Sequence, residues 1–331
     1  MRTLSTRKLQ NAWRLYSSFH ASKRSARPLM KGLPMSLAIE PTTACNLKCP
    51  ECPSGLRSFS RPTGNLDQSL FQAIIDEQKD TLMNLTFYFQ GEPFIHKGFL
   101  DMVRYAADRN IFTSTSTNAH FLDEATCGKV MESRLGRMII SIDGTDQETY
   151  AQYRRAGLLS KVLEGTETMV KTRRSSSLPG PELVFQFLVV KPNEHQIAEV
   201  KRLAKTMGVD RVVLKTAQLY DFEKGNALMP EQDKYSRYKW DESLQKFKIK
   251  NTLDDQCWKM WHSCVITWDG KVVPCCFDKD ASHQMGSIQE SGLSSIWQRP
   301  AYQEFRKQIL KSRSQIEMCK NCSEGTRVFA S

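Results

Sequence analysis

From about residue 36 to residue 216, the apolar positions of the chain switch between two periods. Extended patterns, rich in β-branched and aromatic residues, cover 37–42, 85–90, 111–118, 138–143, 183–190 and 212–216. Helical patterns lie between them at 67–80, 99–109, 124–135, 148–174 with a break at Gly157, and 194–207. Leu70, Ile74 and Ile75 share one face of the first. This alternation predicts an α/β fold of parallel βαβ units, and right-handed crossovers would curl six of them into a partial or complete (β/α)6 barrel. A doubly wound sheet has the same periodicity, so the pattern does not choose between them. A Ser- and Pro-containing loop at 175–181 interrupts the alternation without ending it. Residues 224–255, polar and aromatic, read as a bridging helix. Further on, 268–276 carries a β-hairpin signal with Asp269-Gly270 at the turn, followed by a helical stretch at 293–309. At the other end, Leu9, Trp13 and Tyr16 fall at i, i+4 and i+7, the spacing of a short amphipathic helix. The expected division is a basic leader at 1–33, a barrel at 34–223, the bridge at 224–255 and a small hairpin/helix domain at 256–331.

Charge changes the picture only at the amino terminus. The chain of 331 residues has a formal net charge of +11. Eight cations, Arg2, Arg7, Lys8, Arg14, Lys23, Arg24, Arg27 and Lys31, stand in the first 32 residues without a single acid. The rest is nearly balanced and lacks interleaved basic and aromatic patches, so no nucleic-acid partner is expected. The leader reads as a surface helix, as a peripheral contact with an anionic membrane surface, or as a transit-like segment. No apolar run reaches the roughly 18 to 20 residues of a membrane span. Ten cysteines without a secretory signal read as reduced thiols for metal rather than a disulfide framework, and a cytoplasmic location is expected.

The distinctive chemistry is the loop Cys45-Asn46-Leu47-Lys48-Cys49-Pro50-Glu51-Cys52, directly after the first predicted strand. Three thiolates can hold three irons of a 4Fe-4S cube and leave the fourth open, whereas a structural cluster takes four. The loop resembles the cluster motif of radical S-adenosylmethionine (SAM) enzymes, in which the open iron chelates the methionine part of SAM. By that resemblance Gly91, Glu92 and Pro93, after the second strand, receive the SAM amino group, with Gln90 in place of a usual glycine. Asn118 ends the third strand. Ser141 and Asp143, ending the fourth, are implied contacts to the ribose and sulfonium region, and Arg154 to the SAM carboxylate. Read without the resemblance, Gly-Glu-Pro is a turn, Asp143 a cap, and Arg154, next to Arg155, part of a solvated helix face. Glu51 departs from the family, which usually has an aromatic residue there against adenine.

A second set of cysteines resembles the SPASM/Twitch auxiliary-cluster domain. It implies Cys257, Cys275, Cys319 and Cys322 as ligands of an auxiliary 4Fe-4S cluster, with Cys264 and Cys276 in reserve; a zinc site of four thiolates is the alternative. Cys127, in a helical pattern, reads as a core thiol. The resemblance implies an oxidoreductase in which SAM is reductively cleaved to a 5′-deoxyadenosyl radical that abstracts a substrate hydrogen, the auxiliary cluster accepting an electron. A flavodoxin or ferredoxin is the expected reductant. The substrate class is open: a small-molecule or carbohydrate-like compound, or a peptide, the latter disfavoured because no winged-helix segment precedes the barrel. Lys215, Asp221 and Asp278 are unranked candidate bases. A non-enzymatic zinc-binding module is the competing class.

Overall fold

The computed structural model describes residues 5–323; Arg2 and the last eight residues of the carboxyl-terminal domain lie outside them. In chain order the elements are α1 (Thr6–Ser25), β1 (Ser36–Ile39), α2 (Pro53–Leu56), α3 (Gln68–Gln78), β2 (Asn84–Phe87), α4 (Phe99–Asp108), β3 (Phe112–Thr117), α5 (Glu124–Ser133), β4 (Arg137–Ser141), α6 (Gln147–Tyr153) and α7 (Leu159–Ser175). They continue with β5 (Glu182–Val189), α8 (Ile197–Met207), β6 (Arg211–Thr216), β7 (Tyr238–Asp241), β8 (Lys246–Ile249), α9 (Lys259–His262), β9 (Ser263–Ile266), β10 (Lys271–Val273), β11 (Gly286–Ser287), α10 (Leu293–Gln298) and α11 (Pro300–Ser312).

These elements form two compact units. The first gathers the chain up to Ala44, Phe59–Thr115 and Leu253–Lys320; the second gathers Cys45–Ser58, Ser116–Thr252 and the chain from Asn321. In the first, β1 lies between β2 and β9, parallel to both, with Leu37 opposite Leu85 on one side and Cys264 on the other. β2 continues to β3 in parallel, while β9, β10 and β11 run antiparallel in a meander. The Thr267–Gly270 turn between β9 and β10 places Gly270 at φ +80, which the Asp-Gly signal anticipates. In the second unit β4, β5 and β6 are parallel neighbours. Burial alternates along most of the strands, and one face is interior: Ile39, Leu85, Phe87, Met138, Ile140, Phe185 and Phe187 are all buried.

Backbone chemistry sets the boundaries that differ from expectation. β1 stops at Ile39, short of residue 42, because Pro41 has no N–H to give a ladder. The helix expected at 293–309 is two helices, since Arg299 precedes Pro300 and is held extended at ψ 153 while Pro300 opens α11. The bridging helix expected in 224–255 is corrected to the β7–β8 hairpin. Tyr238 faces Ile249 and Trp240 faces Phe247, a period of two that the aromatic content obscured. Asp241 closes its turn by accepting from the N–H groups of Ser243 and Leu244.

The leader forms a helix and buries one face of it. Lys8, Asn11, Leu15, Ser18, Phe19 and Ser22 point inward, whereas Leu9, Trp13 and Tyr16 are 51%, 68% and 51% exposed. The inward polar groups bind backbone: Asn11 donates to the Leu33 carbonyl and accepts from its N–H, and Ser22 Oγ accepts from Leu29 N.

Candidate iron–sulfur and SAM site

The second unit brings together Cys45, Cys49, Cys52, Asn118, Ser141, Asp143 and Arg154. Cys45 and Cys52 are half-buried and Cys49 is buried, all against an apolar cluster that includes Leu47, Tyr153, Val190, Leu219 and Tyr238. The loop is held at several points. Cys52 N donates to the Cys49 carbonyl at 3.3 Å, and Lys48 N to the Arg155 carbonyl at 2.9 Å. Gly55, in α2, sits so tightly on the loop that a Cβ would lie 2.6 Å from Cys49 N and 2.7 Å from its oxygen.

Arg154 turns inward and Arg155 is exposed. Arg154 Nε donates to Asp143 Oδ2 at 2.5 Å, and Nη1 lies 3.8 Å from Cys49 Sγ. The Asp143 side chain has no exposed surface; its other oxygen accepts from Leu188 N at 2.7 Å, and Asn193 Nδ2 donates to its carbonyl at 3.0 Å. One carboxylate oxygen of Asp143 therefore holds Arg154 and the other holds β5. Burial pushes the Cys49 thiol up, and the Arg154 guanidinium works against that rise.

Asn118, at the end of β3, donates from Nδ2 to Asn46 Oδ1 at 2.8 Å and so joins that strand to the cysteine loop. Its Oδ1 accepts from His120 N at 3.1 Å. Leu158 N donates to His120 Nε2 at 2.9 Å, leaving Nδ1–H for the Asn118 carbonyl, also at 2.9 Å. Burial holds this imidazole below its ordinary pKa. Ser141 Oγ stands 3.5 Å from Ser116 Oγ. Glu51, where the resemblance expected an aromatic ring, accepts from Tyr220 N at 3.0 Å and ties the loop to the segment after β6.

Gly91, Glu92 and Pro93 lie in the first unit. Gly91 has φ +76, and a Cβ there would stand 2.2 Å from the Thr42 oxygen and 2.9 Å from the Ala44 oxygen. Glu92 N donates to the Ala44 carbonyl at 2.8 Å. The tripeptide is thus seated on the three residues that lead into the cysteine loop, which only glycine permits.

Of the second cysteine set, Cys257, Cys275 and Cys319 belong to the first unit and Cys322 to the second. Cys264 lies inside β9, and burial pushes its thiol to about 12; Cys127 is likewise interior, its thiol also at about 12. Asp278, a candidate base, instead closes a turn by accepting from the N–H groups of Ser282 and His283. Among the described residues no three Cys, His, Asp or Glu side chains converge on one ion position; the cysteines of a cube, each on a different iron, have no need to.

Each unit holds a buried arginine that no signal in the sequence marked. In the first unit Arg306 is 0% exposed, between the rings of Trp297 and Tyr302, donating to the Met260 and Trp297 carbonyls. Its Nη2 has no partner, and burial pulls its pKa down to about 10. In the second unit Arg237 donates to the carbonyls of Thr216 and of Asn321, next to Cys322, and its Nε is unpaired. Among the described residues neither meets a carboxylate. A buried cation without an anion is unfavourable by several kcal/mol, and a cube held by four thiolates carries the negative charge that would offset it. The three thiols of the Cys45–Cys52 loop, with the Arg154 guanidinium 3.8 Å from Cys49 Sγ to offset negative charge, are what the implied SAM-binding cluster would fit.

Comparison with known proteins agrees with this reading. Residues 39–204 match the family model of the radical SAM superfamily, and residues 257–323 that of the SPASM iron-sulfur cluster-binding domain. The chain belongs to the radical SAM superfamily and is a radical SAM enzyme with a SPASM auxiliary-cluster domain. Its cofactors are accordingly SAM, a 4Fe-4S cluster and an auxiliary iron–sulfur cluster. It is 24% identical over 326 residues to the tungsten-containing aldehyde ferredoxin oxidoreductase cofactor-modifying protein of Pyrococcus furiosus, covering 87% of this chain and 86% of that protein. It is 25% identical over 293 residues to the PqqA peptide cyclase of Granulibacter bethesdensis, covering 82% and 76%. Among solved structures, Streptococcus suis SuiB bound to S-adenosylmethionine superposes with a TM-score of 0.64 at 15% identity, covering 97% of this chain and 78% of that one. The fold is therefore the partial (β/α)6 barrel with a small carboxyl-terminal domain.

Proposed function

We propose that the enzyme carries out a two-electron oxidation of its substrate, taking one hydrogen atom and releasing the second electron to the auxiliary cluster. Arg237, a buried cation beside Asn321 and Cys322 that meets no carboxylate among the described residues, is the observation that carries this reading. Positive charge favours the more negative, reduced form of a nearby couple. When bound, the groups supply reductive cleavage of SAM and uptake of the electron left on the substrate. The chain's own part is placement. Cys45, Cys49 and Cys52 would hold the first cluster, with Gly55 and the Arg154–Asp143 pair fixing their loop. Gly91 and Glu92 would approach the SAM amino group, and Ser141 the nucleoside. Cys257, Cys275, Cys319 and Cys322 would hold the second cluster. Asp143 and Arg154 are proposed as positioning residues, in place of the direct SAM contacts the resemblance implied.

A peptide is the favoured substrate class, on the similarity to the PqqA peptide cyclase across most of the chain; this replaces the expectation that disfavoured a peptide for want of a winged-helix segment. Joining two carbons of a peptide with loss of two hydrogens is itself a two-electron oxidation. Anaerobically purified protein should contain about seven to eight irons with matching sulfide and, with SAM and dithionite, form 5′-deoxyadenosine. Given peptide substrates encoded near its gene, it should yield a product lighter by two hydrogens, one 5′-deoxyadenosine per product. A product of unchanged mass, or SAM regenerated in each turnover, overturns the oxidation. Cys319→Ala should lose about half of the iron and all product while keeping reductive SAM cleavage.

A further inference from the structure

We infer that the outer face of α1 is a peripheral docking surface for an anionic lipid bilayer. The inference is independent of the chemistry proposed above. Leu9, Trp13 and Tyr16 form one stripe at i, i+4 and i+7, half to two-thirds exposed, while the opposite face of the same helix is buried and hydrogen-bonded. Trp13 and Tyr16 stack with ring centroids 6.1 Å apart, and Tyr16 also meets Trp258 edge-on at 6.3 Å, which braces the stripe from beneath. At the end of α1 stand Lys23 and Arg24, and exposed Arg27 and Lys31 follow; no acid occurs on α1 or in residues 26–33.

Charge and area together select the occupant. Tryptophan and tyrosine, apolar in body and polar at one edge, settle at the headgroup level of a bilayer, and flanking cations meet anionic lipids. A stable protein interface needs about 800 Å² from each partner and is depleted of lysine at its core. Three half-exposed side chains offer at most a few hundred Å². They suffice for reversible interfacial seating, in which apolar insertion and electrostatic attraction add.

The test is sedimentation of the cluster-loaded, full-length protein with vesicles of phosphatidylcholine alone or mixed with phosphatidylglycerol. Binding only to the anionic vesicles is expected, weakening as salt rises, with a blue shift of tryptophan emission that Trp13→Phe diminishes. The double variant Trp13→Ser/Tyr16→Ser should abolish binding, and Lys23→Glu/Arg24→Glu should weaken it by more than about tenfold. Trp240→Ser, at another exposed aromatic residue on the β7–β8 hairpin, should bind as the wild type does. Far-UV circular dichroism establishes that each variant is folded; if the double serine variant unfolds, the charge variant decides. No binding to anionic vesicles at low salt overturns the inference. So does binding that survives the charge variant, or a stripe whose variants change self-association or nucleic-acid retention instead.

Discussion

Arg154 shows how much of the site rests on single groups. It is the cation beside both Asp143 and Cys49 Sγ. Replacing it with glutamine leaves the Asp143 carboxylate buried without a cation, a loss of about 3–5 kcal/mol. Chemical denaturation of Arg154→Gln should show a loss of that order together with reduced iron at the first cluster; an unchanged midpoint would remove the pair from the account. His120 adds a dependence on pH. Burial lowers its pKa below the ordinary 6.5, with Arg154 and Lys161 acting in the same direction against the hydrogen bond to the Asn118 carbonyl. The folded protein therefore binds this proton less readily than the unfolded chain does. The stability it contributes is complete above the unfolded pKa and drains away as pH falls through that value toward the folded pKa. Between about pH 7.5 and about pH 5.5, the urea midpoint should fall more in the wild type than in His120→Gln; parallel slopes would refute the assignment. The cysteine spacing and the Gly-Glu-Pro tripeptide were legible because each is local, a ligand geometry or a turn written in consecutive residues. The inward set of Arg154, chosen over Arg155, was not, because it depends on Asp143 eleven residues away.

At the scale of elements, the β7–β8 hairpin is pinned to the chain end through Tyr238. Its hydroxyl accepts from Leu219 N at 2.8 Å and lies 2.8 Å from Asn321 Oδ1, while its ring stacks on Phe222 at 4.3 Å. Tyr238→Phe keeps the stack and strands these polar groups, so it should destabilise by about 1–3 kcal/mol. Thermal unfolding measures that loss, and a neutral outcome would mean that Asn321 does not depend on the hairpin. The helix expected here failed because long polar residues between aromatics fit either period over four residues, and the choice fell to partners 83 positions away. α1 was legible as a helix, but its buried face was not. Periodicity counts apolar side chains, whereas its buried face is sealed by Asn11 and Ser22 hydrogen-bonded to the backbone of residues 29 and 33.

For the whole molecule, folding and cluster binding should be coupled. Removing iron with a chelator under anaerobic conditions should lower the unfolding temperature. It should do so less in Arg237→Met, because the variant no longer leaves a buried cation without an anion in the apo form. The same variant, loaded, should show a lower reduction potential for the auxiliary couple by spectroscopic titration; no change in either quantity would separate Arg237 from the cluster. No helix among the described residues is long and apolar enough to cross a membrane. By itself the sequence determined the alternation of strands and helices between residues 36 and 216, the two cysteine sets and the family. Hydrophobic period, turn glycines and ligand spacing all act over a few residues. Tertiary structure decided which face of α1 is buried, that Asp143 holds Arg154 and β5, and that Glu51 ties the cysteine loop to the segment after β6. It also decided that Arg237 and Arg306 are buried without carboxylates among the described residues. Each of these is a desolvated polar group whose partner, or lack of one, is chosen by chain segments remote in sequence, and no local pattern records that choice.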